Sequence, residues 1–498
     1  MNNPLYDTMF APHSDKETPF LHLTDGELIT HGAFLRRAAQ LAHALVAQGV
    51  QTGDRVAVQV RKCPDMLALY AACAQMGAVF LPLNTAYTAA ELAYFVTDSG
   101  AALLVGDPAR ADELVAVANA AGAAFATLDA QGGSLSKSAD AQAEVFATVA
   151  RHRDDLAAFL YTSGTTGRSK GAMLSQQNLI SNAATLTALW QFTRDDVLLH
   201  ALPIFHTHGL FVATNVMLMA GGAMVFMPKL DVEDLIDWMP RATALMGVPT
   251  FYTRLLEDAR LNHALVANMR LFISGSAPLL ADTHVTFEAR TGHRILERYG
   301  MTETNMSTSN PYAGERRAGT VGLPLPDVAL RVVDANGKEL PRGETGVIEV
   351  RGPNVFQGYW NMPEKTAEEM RDDGFFITGD LGVQDAQGYV TIVGRGKDLI
   401  ISGGYNIYPK ELELLLDAQD GVLESAVIGV PDPDLGEVPL AVLVPQAGAQ
   451  INLAAVQAAA EVALARFKQP RDYRVVTELP RNTMGKVQKV ALRAEFGT

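Results

Sequence analysis

The chain has 498 residues, more than one compact core accommodates, so two or more domains are expected. Hydrophobic residues make up 48% and charged residues 19%, the balance of a globular protein, which excludes a disordered or largely membrane-embedded chain. A formal net charge of −15 argues against nucleic acid or anionic lipid as the main partner, so an anionic substrate has to be met by local clusters of Arg and Lys.

The start, MNNPLYDTMFAPHSDKE, has no basic segment followed by an apolar run, and the expected location is the cytoplasm with no membrane partner. From about residue 30, helical periods alternate with short apolar runs: helix 33–48, strand 55–60, helix 64–77, strand 79–83. Residues 114–128 continue this as a helix plus a strand. The alternation predicts an α/β fold with mostly parallel strands. Cys63 and Cys73 stand in no C-x-x-C pair, so neither a disulfide framework nor a zinc site is indicated.

The run LAAFLY at 156–161 reads as a buried strand leading into YTSGTTGRSKG at 161–171, after which Ser175 caps a helix, giving strand, phosphate loop, helix. Glycines there allow tight turns, the hydroxyls of Ser163, Thr165 and Thr166 supply donors, and Lys170 supplies positive charge, which suits a polyphosphate. It is not a Walker A loop: counting from Gly164, Ser169 stands where that pattern needs glycine and Gly171 where it needs Ser or Thr. The apolar stretch 211–227 is broken by Asn215 and by Gly221-Gly222 and reads as a buried helix and strand rather than a membrane span. In Phe205-His206-Thr207-His208-Gly209, the paired histidines have no third ligand at metal spacing.

Residues 328–352 read as strands joined by Asn336-Gly337 and Gly343 turns, the start of a β-rich subdomain. Residues 394–404, GRGKDLIISGG, mark a second change of character. Beyond them lie helix 409–419, strands 424–430 and 439–444, helix 453–467 and strand 473–479. A large N-terminal domain, 1–396, of layered α/β subdomains plus the β-rich part is thus followed by a small mobile α/β domain, 397–498.

Read beside the phosphate loop, the segments SGSAP at 274–278, YGMTE at 299–303, ITGD at 377–380 with Gly394-Arg395, and PRNTMGK at 480–486 occur in one order. Together they resemble the acyl-adenylate-forming family of acyl-CoA synthetases, luciferases and peptide-synthetase adenylation domains. The resemblance implies two steps: a carboxylate attacks the α-phosphate of ATP to give acyl-AMP and pyrophosphate, then a thiol displaces AMP. It implies that Thr162, Ser163, Gly164, Thr165, Thr166, Gly167 and Lys170 hold the phosphates. Ser274, Gly275, Ser276, Ala277, Pro278, Glu297, Gly300 and Met301 surround the nucleotide, with Tyr299 stacked on the adenine. Asp380 and Arg395 take the ribose, and Thr302 lies near the α-phosphate. A hard carboxylate oxygen at Glu303 suits Mg²⁺, with Thr165 as a weaker ligand. His206 lies near the acyl carboxylate, while His208, Ser276 and Met301 face the acid. Lys486 offsets the repulsion between the attacking carboxylate and the phosphate, and is where a lysine-modifying regulator would act. Lys397 is the hinge of the small domain.

The acid is indicated by Arg254, in VPTFYTR, and Arg298, just before Tyr299. Arginine in an otherwise apolar pocket is costly unless its ligand is an anion, and its fork matches a second carboxylate. The pattern resembles the malonyl-CoA synthetases, which implies malonate, or methylmalonate, as acid and free coenzyme A as thiol. Internal pairing with Glu297 or Glu257 would remove that argument. An oxalate, short fatty acid or aryl acid ligase is the competing enzyme reading. A catalytically silent acyl-AMP binder would be expected to lack Glu303 or Lys486, and both are present.

Overall fold

The computed structural model describes residues 2–162, 169–277, 279–402, 405–432, 435–464, 466, 468–482 and 485–497. They divide into two compact units, Met1–Ala329 with Arg351–Phe376, and Leu330–Val350 with Ile377–Thr498. The boundary expected after 396 falls inside the second unit, because the hairpin at 329–351 pairs with Phe376–Gln384 and joins the C-terminal residues.

The first unit contains two large sheets. One orders its strands Ala124–Thr127, Leu103–Gly106, Arg55–Gln59, Val79–Pro82, Leu156–Thr162, Lys170–Ser175. All neighbours are parallel except the last pair. The crossover helices follow from local signals: Pro64 opens Pro64–Met76, which stops at Gly77 in the left-handed region. Thr88 and Glu91 form a capping box on Ala89–Ser99. That helix buries Leu92, Phe95 and Val96 against Leu81, Leu104 and Phe159, each such side chain contributing about 1.5–3 kcal/mol of transfer free energy.

Strand 156–161 is present, but a helix does not directly follow the phosphate loop. Lys170–Ser175 pairs antiparallel with Leu156–Thr162, with Thr162 opposite Lys170, and only then does Ser175 cap Gln176–Leu189. Two apolar runs flanking a Gly-rich segment make a hairpin, and this places Lys170 at a strand start.

The second sheet runs Leu323–Pro324, Thr308–Ser309, Leu296–Tyr299, Leu271–Ser274, Ala244–Gly247, Val197–His200, Ala223–Phe226, Pro19–His22, Leu28–Thr30. The central strands, Leu296–Tyr299 through Pro19–His22, are parallel, with antiparallel strands at the edges. Between Val197–His200 and Ala223–Phe226 the chain passes through a π-helical segment, His208–Thr214, and the helix Asn215–Ala220. Among the described residues, no helix is long and apolar enough to cross a membrane.

The second unit holds a four-stranded sheet in the order Ala329–Val333, Thr345–Arg351, Phe376–Gln384, Val390–Arg395. Its other sheet is built on the long pair Val422–Asp432 and Gly436–Pro445. Leu412 and Leu416 of helix Pro409–Asp417 and Val456 of helix Leu453–Ala463 cover one face, and Leu492 of helix Lys489–Phe496 covers the other. The helix expected over 453–467 ends at Ala463, where Leu464 turns extended, and the strand expected over 473–479 is Asp472–Val475.

Candidate active site

In open parallel sheets, ligands bind outside the carboxyl ends of the strands. Val197–His200, Ala244–Gly247, Leu271–Ser274 and Leu296–Tyr299 are neighbours in the second sheet, and they lead into the FHTHG, VPTFYTR, GSAP and GMTE segments respectively. One sheet edge therefore gathers segments that are about a hundred residues apart in sequence.

Arg298 lies on the outermost of these four strands, Leu296–Tyr299. It is 3% exposed, and its Nε and Nη2 have no hydrogen-bond partner. Burial pushes the guanidinium down to about 9, the mark of a buried cation without a counter-charge, and it stays protonated at neutral pH. Gly275 makes the room: a Cβ there would stand 2.4 Å from Arg298 Nη1 and 2.5 Å from Cζ. The internal pairing with Glu297 is not made; Glu297 Oε1 instead accepts from the Gly319 N–H at 3.2 Å.

The histidines line the same region. His208 Nδ1 lies 3.2 Å from Ser276 Oγ, and the His208 N–H donates to His206 Nδ1 at 3.3 Å. Burial first, then the Arg298 charge, lowers His206 to about 4 and His208 well below the ordinary histidine value. Both rings are neutral at pH 7, and Arg298 supplies the positive charge. His208 Nε2, Thr207 Oγ1 and Ser274 Oγ are buried and unpartnered as well, so the pocket is more polar than the sequence suggests. Ser276 holds φ 71°, a strained backbone for a serine. The Tyr252 hydroxyl donates to Ile273 O at 2.6 Å and so fixes the helix Pro249–Glu257 to the sheet. Arg254, on that helix, is exposed and is not brought into the buried group.

On the phosphate side, Ser163, Gly164, Thr165, Thr166 and Gly167, and with them the Thr165 metal assignment, lie outside the described residues, as does Pro278. Their neighbours are placed. Glu303 is buried at 4% exposure, with the Thr162 hydroxyl 3.4 Å and the Tyr359 hydroxyl 3.0 Å from its Oε1. Lys170 Nζ donates to both Glu369 oxygens, at 3.0 and 3.2 Å. Tyr359 and Glu369 were not singled out in the sequence. Thr302, Tyr299, Gly300, Met301 and Ala277 are half-buried. Among the described residues no group of three or more His, Cys, Asp or Glu forms a metal cluster.

Asp380, Arg395, Lys397 and Lys486 all belong to the second unit. Asp380 and Arg395 face each other across the antiparallel pair, with Arg395 Nε 2.8 Å from Asp380 Oδ1. Lys486 is an exposed residue whose ammonium is nonetheless pushed down to about 8, by desolvation first and then by the charge of Arg395, with Lys397 adding to it and Asp380 opposing. Its turn is closed by Lys486 N donating to Asn482 Oδ1 at 2.9 Å and by Arg481 Nη1 donating to Gly485 O at 2.5 Å. Arg481 also pairs with Glu424.

The chain belongs to the AMP-binding enzyme family: the family pattern matches residues 11–360, and that of the AMP-binding enzyme C-terminal domain matches 411–486. Over its whole length it is similar to the ATP-bound crystal structure of MatB from Rhodopseudomonas palustris, at 57% identity and a TM-score of 0.98, covering 100% of this chain and 99% of that one. It is also 36% identical to a feruloyl-CoA synthase from Amycolatopsis sp, over 99% of this chain and 98% of the relative. A malonate–CoA ligase from Arabidopsis thaliana is 35% identical over 89% of this chain and 78% of the relative. The chain is an AMP-forming enzyme of the acyl-CoA ligase family.

Proposed function

We propose that the chain is an ATP-dependent acid–CoA ligase that converts malonate, or methylmalonate, into its CoA thioester through an acyl-AMP, releasing AMP and pyrophosphate. The observation that carries the acid assignment is Arg298, buried without an acidic partner and with unpartnered donors in the pocket. A feruloyl group offers such a cation no counter-charge, whereas the distal carboxylate of a short diacid supplies one. The CoA ligases among the relatives and the ATP-bound MatB support ATP and coenzyme A as the other substrates.

In this reading the reacting carboxylate lies beside His206, and the distal carboxylate meets Arg298, with Arg254 as an outer contact. Tyr299, Glu297 and the 274–277 turn hold the base, Asp380 and Arg395 hold the ribose, Thr162 and Lys170 meet the phosphates, and Thr302 lies near the α-phosphate. Glu303 fits Mg²⁺, since a single buried carboxylate beside a hydroxyl suits an ion that keeps its waters and phosphate oxygens as remaining ligands. When bound, that ion would neutralise phosphate charge.

The test is pyrophosphate release with a panel of acids: malonate, methylmalonate, oxalate, butyrate and ferulate. Malonate is expected to give the highest kcat/KM, and a preference for butyrate or ferulate would overturn the assignment. Gly275→Ala checks the pocket from the other side. Its methyl would displace the Arg298 guanidinium, and the expected result is a fall in kcat/KM for malonate of roughly tenfold or more with the protein still folded, about the effect of losing one charge-assisted contact.

The hinge gives a further prediction. Lys397 lies in the short turn Gly396–Asp398, and a torsional change there between the two half-reactions is what the mobile-domain reading requires. Lys397→Pro fixes φ, so acyl-AMP formation is expected to survive and thioester formation to fail. Full overall turnover by the variant rules the hinge out at that residue.

A further inference from the structure

We propose that Glu369 and Tyr359 are positioning residues that aim Lys170 at the triphosphate, a role that rests on the ligase reading above. Backbone pairing brings them together. Trp360 N donates to Gly171 O at 2.8 Å and Met173 N donates to Gly358 O at 3.0 Å, so the segment before helix Pro363–Glu369 lies along the Lys170–Ser175 strand. Tyr359 is thereby set beside Lys170, whose Nζ is 4.0 Å from the phenol ring centroid.

The Lys170 ammonium carries three N–H donors and a flexible four-carbon stem. With Nζ held 3.0 and 3.2 Å from the two Glu369 oxygens, and the side chain only 10% exposed, the stem is fixed and a third donor is left for an anion. Glu369 is itself held. Lys365 Nζ stands 3.1 Å from it, and the Tyr359 hydroxyl donates to Oε2 at 2.6 Å. The same hydroxyl lies 3.0 Å from Glu303 Oε1, so a single phenol proton serves two carboxylates. The phenol thus ties the partner of Lys170 to Glu303, across the phosphate side of the site.

A purely structural ion pair would behave differently under separated half-reactions. Acyl-AMP formation uses the triphosphate; thioester formation from supplied acyl-AMP and coenzyme A does not. Glu369→Gln keeps the shape and removes the charge. It is expected to raise the ATP KM of acyl-AMP formation about tenfold, the effect of one charge-assisted contact, with the malonate KM and the thioester step unchanged. Tyr359→Phe is expected to move the ATP KM in the same direction by about threefold, and Glu369→Asp to recover part of the loss. Equal losses in both half-reactions, an unchanged ATP KM in both Glu369→Gln and Tyr359→Phe, or a lowered ATP KM would overturn the positioning role. A wild type that forms no acyl-AMP from any acid in the panel would sink the ligase reading and this proposal with it; the other outcomes bear on the proposal alone.

Discussion

Lys486→Ala is expected to lose acyl-AMP formation by about 3–4 kcal/mol, roughly two to three orders of magnitude in rate, the usual effect of one preorganised donor at a developing charge. The same variant is expected to convert supplied malonyl-AMP and coenzyme A to thioester at the wild-type rate, because no carboxylate attacks a phosphate in that step. Equal loss in both half-reactions would remove the assignment. The pH profile gives an independent check. Lys486 is pushed down to about 8, so its positive charge is present below that value and lost as the pH rises through it. Because kcat/KM reports groups of the free enzyme, kcat/KM for ATP in acyl-AMP formation is expected to fall above about pH 8. In Lys486→Arg, whose guanidinium does not titrate in this range, that limb is expected to vanish from whatever activity remains.

The proposed site is legible in the sequence where local chemistry is demanding. A Ser/Thr/Gly run between two apolar runs, and short polar turns directly after apolar strands, suit phosphate and nucleotide contacts, since few other tasks need those residues there. The alternating helices and strands of residues 33–83 were equally plain, since a Pro64 start and a stop at Gly77 are written locally. What the sequence hid depends on pairing between distant residues. The hairpin at 329–351 follows the large unit in sequence but is grouped by its partner strand, Phe376–Gln384, and no local signal reveals that. Glu369 closes the acid-rich run PEKTAEE at a helix end; the backbone pairing of residues 357–360 with 171–173 makes it the partner of Lys170. The two arginines show the same divide. Arg254 shares a helix whose buried residues are Phe251, Tyr252 and Leu255, and helical spacing already turns it away from that stripe. Arg298 lies on Leu296–Tyr299, where Leu296, Glu297 and Arg298 are all buried, a depth that a strand acquires from its neighbours.

That difference in depth sets the expected result for substrate choice. Arg298→Ala removes a buried, charge-assisted contact to the distal carboxylate, which costs about 2–5 kcal/mol for malonate, much of it from leaving that carboxylate desolvated and unpaired. Butyrate never makes the contact and is expected to lose little, or to gain as the pocket becomes apolar. The ratio of kcat/KM for malonate to that for butyrate is the quantity to measure, because damage to folding or to ATP binding cancels in it. For Arg298→Ala the ratio is expected to fall by roughly 30-fold or more, which is the lower end of that energy range. Arg254→Ala is expected to move it less, since an exposed guanidinium contributes through a screened field. His206 and His208 are neutral at pH 7 because burial and the Arg298 charge hold them so, and removing Arg298 takes away the second of these causes. Both rings then become easier to protonate, while burial, the larger cause, still holds them below the ordinary histidine value. A selectivity ratio unchanged in Arg298→Ala would make the arginine structural, and the acid would have to be recognised by its apolar surface alone.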